Sequence, residues 1–171
     1  MMFISIAKIK IKPDAACDFS FTECLDAAAY GYDGFRVDGA AAVSGSIVNK
    51  GGGIFDAAFR YQATIELPCS RCGQDFCQPV SGACTARFAL AAGDDESGEA
   101  EIFPIEREAA DIAAPVLQEI FFSLPMQPLC RPDCRGLCPI CGIDLNHHSC
   151  SCAAEQIDPR WEKLKSLSIE D

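Results

Sequence analysis

The sequence predicts an α+β fold: a mainly antiparallel β-sheet built from hairpins, one or two helices, and a cysteine-rich C-terminal segment. Three observations carry this expectation. Two loosely alternating apolar stretches, residues 55–67 and 76–90, flank a Cys69-Ser-Arg-Cys72-Gly turn. An apolar stripe at helical spacing runs from Asp111 to Leu124. Six of the 12 cysteines lie between Cys130 and Cys152. Residues 1–129 are read as a β-rich body and 130–171 as a cysteine-rich segment packed on the same domain.

Along the chain, Phe3 to Lys12 places Ala7, Ile9 and Ile11 on one parity and Lys8, Lys10 and Lys12 on the other, as a half-exposed strand does. The stretch holding FSFTECL (19–25) reads as less regular, and YGYDG as a turn. Phe35 to Val48 suggests one or two strands, followed by a reversal at Asn49-Lys50-Gly51-Gly52-Gly53. Phe55 to Leu67 is the strongest strand, with Phe59, Tyr61, Ala63, Ile65 and Leu67 on one face. Phe76 to Leu90, through Val80, Cys84, Ala86 and Phe88, is expected to return antiparallel to it, leaving Cys69 and Cys72 at the hairpin tip.

Residues 93–101 (GDDESGEAE) read as an acidic loop, and Ile102 to Ile105 as a short strand. In the helix over 111–124, Ile112, Val116, Leu117, Ile120, Phe121 and Leu124 share a face. Pro115 belongs in its first turn or starts a shorter helix, and Pro125 ends it. Asp158 to Leu167 reads as a short terminal helix, with Asp158 as N-cap and Trp161, Leu164 and Leu167 on one side.

The start of the chain lacks an apolar block long enough for a signal peptide, and no stretch approaches a membrane span. A cytoplasmic protein is expected, where closely spaced thiols stay reduced and read as metal ligands or redox groups rather than disulfides. Structural zinc takes four ligands, drawn as two close pairs. Cys138-Pro-Ile-Cys141-Gly142 has the form of a zinc knuckle, and Cys150 and Cys152 leave one face of an extended segment. Those four make one plausible site. Cys130 and Cys134 share a face of a helical turn and can join Cys69 and Cys72 in a second. Other pairings, a single occupied site, and iron–sulfur or thiol–disulfide chemistry stay open.

A zinc tetrathiolate carries formal charge −2, so Arg71, Arg131 and Arg135, which lie inside the cysteine motifs, are suited to compensate it. Their sharper role is contact with RNA phosphate or a protein partner. His147 and His148 read as solvated loop residues, and Cys17, Cys24, Cys77 and Cys84 as small hydrophobes. The net charge of −11 argues against binding nucleic acid through overall charge. No nucleophile elbow, phosphate loop or Ser/His/Asp constellation is present, so no enzyme and no small-molecule substrate are expected.

The ordered combination of Cys69-Ser-Arg-Cys72, the helix leading into Leu124-Pro125-Met126, CRPDCRGLCPICGIDLN followed by CSC, and Asp158-Pro-Arg160-Trp-Glu-Lys-Leu164 resembles the bacterial YceD family, the large ribosomal RNA subunit accumulation proteins. The cysteine-rich tail is similar to that of the family's zinc-binding branch. The resemblance implies a cytosolic, non-enzymatic ribosome-biogenesis factor that supports accumulation or processing of large-subunit ribosomal RNA. Its expected partner is the RNA precursor, a large-subunit ribosomal protein, or both; the acidic balance favours a basic protein. Two other readings stand beside it: a thiol–disulfide oxidoreductase acting through Cys69 and Cys72, and a direct RNA binder with a zinc-ribbon face.

Overall fold

The computed structural model describes residues 2–90 and 102–152. Seven strands form one sheet in the order β1-β7-β6-β5-β4-β3-β2. Four of them make a meander: β2 (Ala16–Cys24), β3 (Arg36–Gly51), β4 (Ile54–Pro68) and β5 (Asp75–Ala89). The parallel pairing of β6 (Ile102–Glu106) with the end of β5 extends it. β7 (Ala109–Asp111) and β1 (Phe3–Ser5) complete the other edge. The one α-helix among the described residues, α1 (Ala113–Ser123), follows β7 and contacts β5, and a short 3-10 helix spans Ala28–Tyr30. No helix among these residues is long and apolar enough to cross a membrane.

The meander follows from period-two burial. Phe55, Ala57, Phe59, Tyr61, Ala63, Ile65 and Leu67 of β4 are all buried, whereas Ala58, Arg60 and Gln62 face solvent. Three consecutive positive-φ glycines, Gly51 to Gly53, reverse the chain between β3 and β4, a conformation costly for any other residue. α1 covers the apolar face with Val116, Leu117 and Ile120, all fully buried. Pro115 sits in its first turn. The residue before Pro125 is driven out of the helical region, and Leu124 is accordingly extended at ψ 136°.

The N-terminus differs from its expected strand. Only Phe3–Ser5 is β, and the buried residues of this stretch are Met2, Ile4, Ile6 and Ile9; of the expected face Ile9 is buried, but Ile11 is 83% exposed. The chain turns after Ile6, whose carbonyl accepts from Ile9 and Lys10 N–H. Buried Asn49 holds this loop: its Nδ2 donates to the carbonyls of Ile9 (2.7 Å), Lys10 (3.1 Å) and Lys12 (3.2 Å). A side chain distant in sequence therefore overrides the local alternation.

Residues 19–25 are also more regular than expected. Most of them belong to β2, where Cys17, Phe19 and Phe21 turn toward the core. Of residues 35–48, all but Phe35 lie in one strand, with a register shift between Asp38 and Ala42. Leu90 lies past β5 and is exposed, and Asp111 belongs to β7 rather than α1, its Oδ1 accepting from Ala113 N–H at 3.0 Å. Cys17 and Cys84 pack partly against the core, but Cys24 and Cys77 are exposed. The acidic 93–101 segment and the 158–167 helix lie outside the described residues.

Candidate metal centres

The β4–β5 ladder carries its register to Pro68↔Asp75, so the tip between them must close tightly. It does so as a knuckle: Cys69 N–H donates to the Gln74 carbonyl at 2.9 Å, and Gly73 N–H to the Cys69 carbonyl at 2.8 Å. Gly73 makes the reversal at φ +71°. Downstream, Cys134 N–H donates to the Arg131 carbonyl in a single turn, which brings Cys130 and Cys134 to one side. Ser70 N–H donates to the Pro128 carbonyl at 2.8 Å and draws the two segments together.

The resulting sulfur geometry is specific. Cys69 Sγ lies 3.8 Å from Cys134 Sγ, and Cys72 Sγ lies 3.8 Å from Cys130 Sγ. The four sulfurs all fall within 4.8 Å of one another, and Cys69, Cys72 and Cys134 are buried. Tetrahedral zinc with bonds of about 2.3 Å would set its sulfurs about 3.8 Å apart. No pair is joined as a disulfide.

A second group repeats the pattern. Cys138 N–H donates to the Ile143 carbonyl at 2.8 Å, Gly142 N–H donates to the Cys138 carbonyl at 2.9 Å, and Gly142 has φ +73°. Cys141, Cys150 and Cys152 close around Cys138 within the same 4.8 Å limit. Cys141 is exposed here, whereas the hairpin-tip group is more enclosed.

Within each group the thiols are shifted in opposite directions. Backbone N–H donors, foremost that of Cys130, pull the Cys69 thiol down to about 6. Those of Cys141 and Ile140 do the same for Cys138, also to about 6. Burial, then the neighbouring cysteine side chains, pushes Cys130 up to about 12. The Cys141 thiol, then burial, raises Cys152 to about 12. Crowded thiols cannot all ionise together, and a divalent cation removes that conflict. Donor type, spacing and charge all suit such an ion, so each group can hold one metal.

The two groups are tied to each other. Asn146, from the loop after the second knuckle, donates Nδ2–H to Cys134 Sγ at 3.5 Å and accepts the Arg135 backbone N–H at 2.8 Å. Asp144 accepts from Gln74 of the first knuckle at 3.2 Å. Leu145 N–H donates to the Gly136 carbonyl, and a Cβ built on Gly136 would sit 2.9 Å from the Arg71 carbonyl oxygen. Asn146 and Asp144 are functional residues that cysteine counting misses; the Asx-turn chemistry of Gly142-Ile-Asp144-Leu-Asn146 is the signal that could have found them.

Among the arginines, Arg71 is drawn into the structure, its Nη1 donating to the Cys134 carbonyl at 2.8 Å. Arg131 lies 3.7 Å from Asp133, and exposed Arg135 makes no ion pair among the described residues. His147 pairs at 3.8 Å with Asp144, and neither His147 nor His148 joins a donor group.

A family model described as "Large ribosomal RNA subunit accumulation protein YceD" matches residues 57–168, more than half of the chain. Uncharacterised proteins of Mycobacterium bovis and Mycobacterium tuberculosis are each 40% identical over 101 residues, covering 58% of this chain and 48% of theirs. A protein of Arabidopsis thaliana named "Large ribosomal RNA subunit accumulation protein YCED homolog 1, chloroplastic" is 29% identical over 65 residues, 38% of this chain and 20% of that one. The chain spans about half the length of the mycobacterial relatives it matches. No solved structure matches it significantly. Two cysteine knuckles at fixed places in the chain, and a family match that contains them both, agree: the chain belongs to the YceD family of large ribosomal RNA subunit accumulation proteins.

Proposed function

We propose that this chain is a non-enzymatic, cytoplasmic ribosome-biogenesis factor that supports accumulation of large-subunit ribosomal RNA, with two structural zinc ions clamping its C-terminal segment to the sheet. The observation that carries the zinc reading is the pair of four-sulfur groups, each built on a knuckle. Cys69, Cys72, Cys130 and Cys134 would hold one ion, and Cys138, Cys141, Cys150 and Cys152 the other. The ion supplies only cross-linking here. The chain's own residues set the donors: the knuckle N–H groups stabilise thiolates, Arg71 joins the two halves, and Asn146 orients Cys134.

Burial of Cys69 and Cys72 beneath Cys130 and Cys134 supports a clamp over a redox pair, which needs an accessible attacking sulfur. The excess negative charge supports a basic protein of the large subunit as the direct partner. Exposed Arg131 and Arg135 supply the competing route, direct contact with RNA.

Elemental analysis tests the clamp: two zinc ions per chain are expected, and a metal-free protein with a reversible Cys69–Cys72 disulfide would overturn it. Affinity capture of the native protein with and without ribonuclease tests the partner. Ribosomal proteins retained after digestion support the protein route. Binding lost on digestion, falling steeply with salt and weakened by Arg131→Ala or Arg135→Ala, would transfer the role to RNA.

A further inference from the structure

The sheet manages its edges unequally. β1 closes one side and is three residues long. Among the described residues β6 pairs only with Arg87 to Ala89 of β5, and the rest of that side carries Pro79, which has no N–H to offer. β2 has neither device. It is nine residues long, without proline or lysine, and pairs with β3 from Ala16↔Val48 to Cys24↔Ala40 without a register shift. It is the last strand in the sheet order, and among the described residues β3 is the one strand laddered to it. The guards that β2 itself carries against further pairing are the charges of Asp18 and Glu23, which oppose another acidic strand.

Two further features describe what fits there. Cys17, Phe19 and Phe21 face the core, with the Phe19 ring 6.4 Å from that of Phe59, yet all three are only half-buried where the matching positions of β4 are fully buried. Among the described residues the apolar layer thins at β2. The charge along the strand is acidic: residues 13–35 hold Asp14, Asp18, Glu23, Asp26 and Asp33 and no lysine or arginine, the nearest cations in sequence being Lys8, Lys10 and Lys12 of the preceding loop. A second copy pairing edge to edge would oppose acidic strands, which disfavours self-association.

We propose that β2 is a strand-addition site for an extended basic segment of a partner protein, in which apolar residues alternate with Lys or Arg. The partner's backbone continues the ladder beyond β2. Its apolar side chains complete the layer over Cys17, Phe19 and Phe21, and its cations meet Asp18 and the acidic flanks. This deepens the protein-partner reading above and rests on it.

The test uses the full metal-loaded chain and a fluorescent decapeptide alternating valine and lysine. Saturable binding is expected, with hydrogen exchange slowed at the amides of residues 16–24. Asp18→Lys, at an exposed position, should weaken binding by about tenfold or more while leaving the folded spectrum unchanged. A valine–glutamate peptide should not bind, nor should the basic peptide carrying two central prolines. Equal binding of the proline peptide, exchange slowed only elsewhere, a dimer formed through residues 16–24, or an edge already covered by the chain's own residues 153–171 would each overturn the assignment. Absence of any ribosomal component in the affinity capture would overturn the functional reading whatever the peptide does. Ribosomal proteins retained by Asp18→Lys overturn the edge assignment alone.

Discussion

Replacing Gly136 by alanine tests whether the two cysteine groups are one mechanical unit. Gly136 has φ +70°, a left-handed conformation that costs an L-residue roughly 1–2 kcal/mol. The added Cβ would also stand 2.9 Å from the Arg71 carbonyl oxygen and 3.3 Å from Arg71 Cβ. The nearer atom is knuckle backbone, held by the Cys69–Gln74 and Gly73–Cys69 hydrogen bonds, so it cannot swing aside as a side-chain tip would. Relief requires the Cys134–Gly136 segment to move away from the first knuckle by a few tenths of an ångström. That strains the Arg71–Cys134 and Asn146–Cys134 contacts together.

Strain and overpacking together cost about 2–3 kcal/mol, equivalent to roughly 30–150-fold in metal affinity if expressed wholly there. Chelator competition at both sites, read beside urea unfolding, measures it. Gly142→Ala is the control: its φ is +73°, and nothing lies within 4 Å of the new Cβ, so it carries the backbone strain alone. If Gly136→Ala is no worse than Gly142→Ala, to within about 0.5 kcal/mol, the close approach of the two knuckles is refuted.

Asn49→Ala should destabilise the fold by about 2–4 kcal/mol in urea, because three carbonyls of the N-terminal loop and the Gly51 N–H lose their partner together. Gly82 lies under the Tyr61 ring, where an added Cβ would meet the Tyr61 Oη at 2.7 Å, so Gly82→Val should cost about 1–3 kcal/mol by displacing that ring, again read by urea unfolding. Cys134→Ser, or chelation, should release residues 128–152 to proteolysis while the far-ultraviolet β signal persists, because the buried core of the sheet contains none of the eight clustered cysteines. Metal affinity should rise with pH. Cys69 and Cys138, ordinarily near 9 and lowered to about 6, favour binding while ionised and lose that contribution as pH falls through about 6. Binding at neutral pH should release protons, chiefly from Cys130 and Cys152, which calorimetry in buffers of differing ionisation enthalpy detects.

The β4 and β5 strands and α1 were legible because their patterns are long and their burial is local in cause. Seven alternate residues of β4 from Phe55 to Leu67 are buried, and a proline marks each end of the run that matters: Pro68 before the knuckle and Pro125 after the helix. The N-terminal ten residues were not legible, since Asn49 captures their carbonyls from across the fold. β2 was obscure because its strand character is set by pairing with β3, whose small residues Ala42, Ser44 and Ser46 impose little pattern of their own.

What the sequence determined by itself is the list of donors, the knuckle turns and the order of motifs along the chain, because each depends on residues within a few positions of one another. A glycine after Cys72 and another after Cys141 suffice to reverse the chain at each pair. Tertiary structure decided which half-sites meet. The sulfurs of Cys69 and Cys134 are separated by 65 positions, and tertiary contacts such as the Ser70–Pro128 and Arg71–Cys134 hydrogen bonds bring them to 3.8 Å. The position of β2 as the last strand among the described residues is likewise a property of the assembled sheet, since a strand's place is set by which neighbours it has.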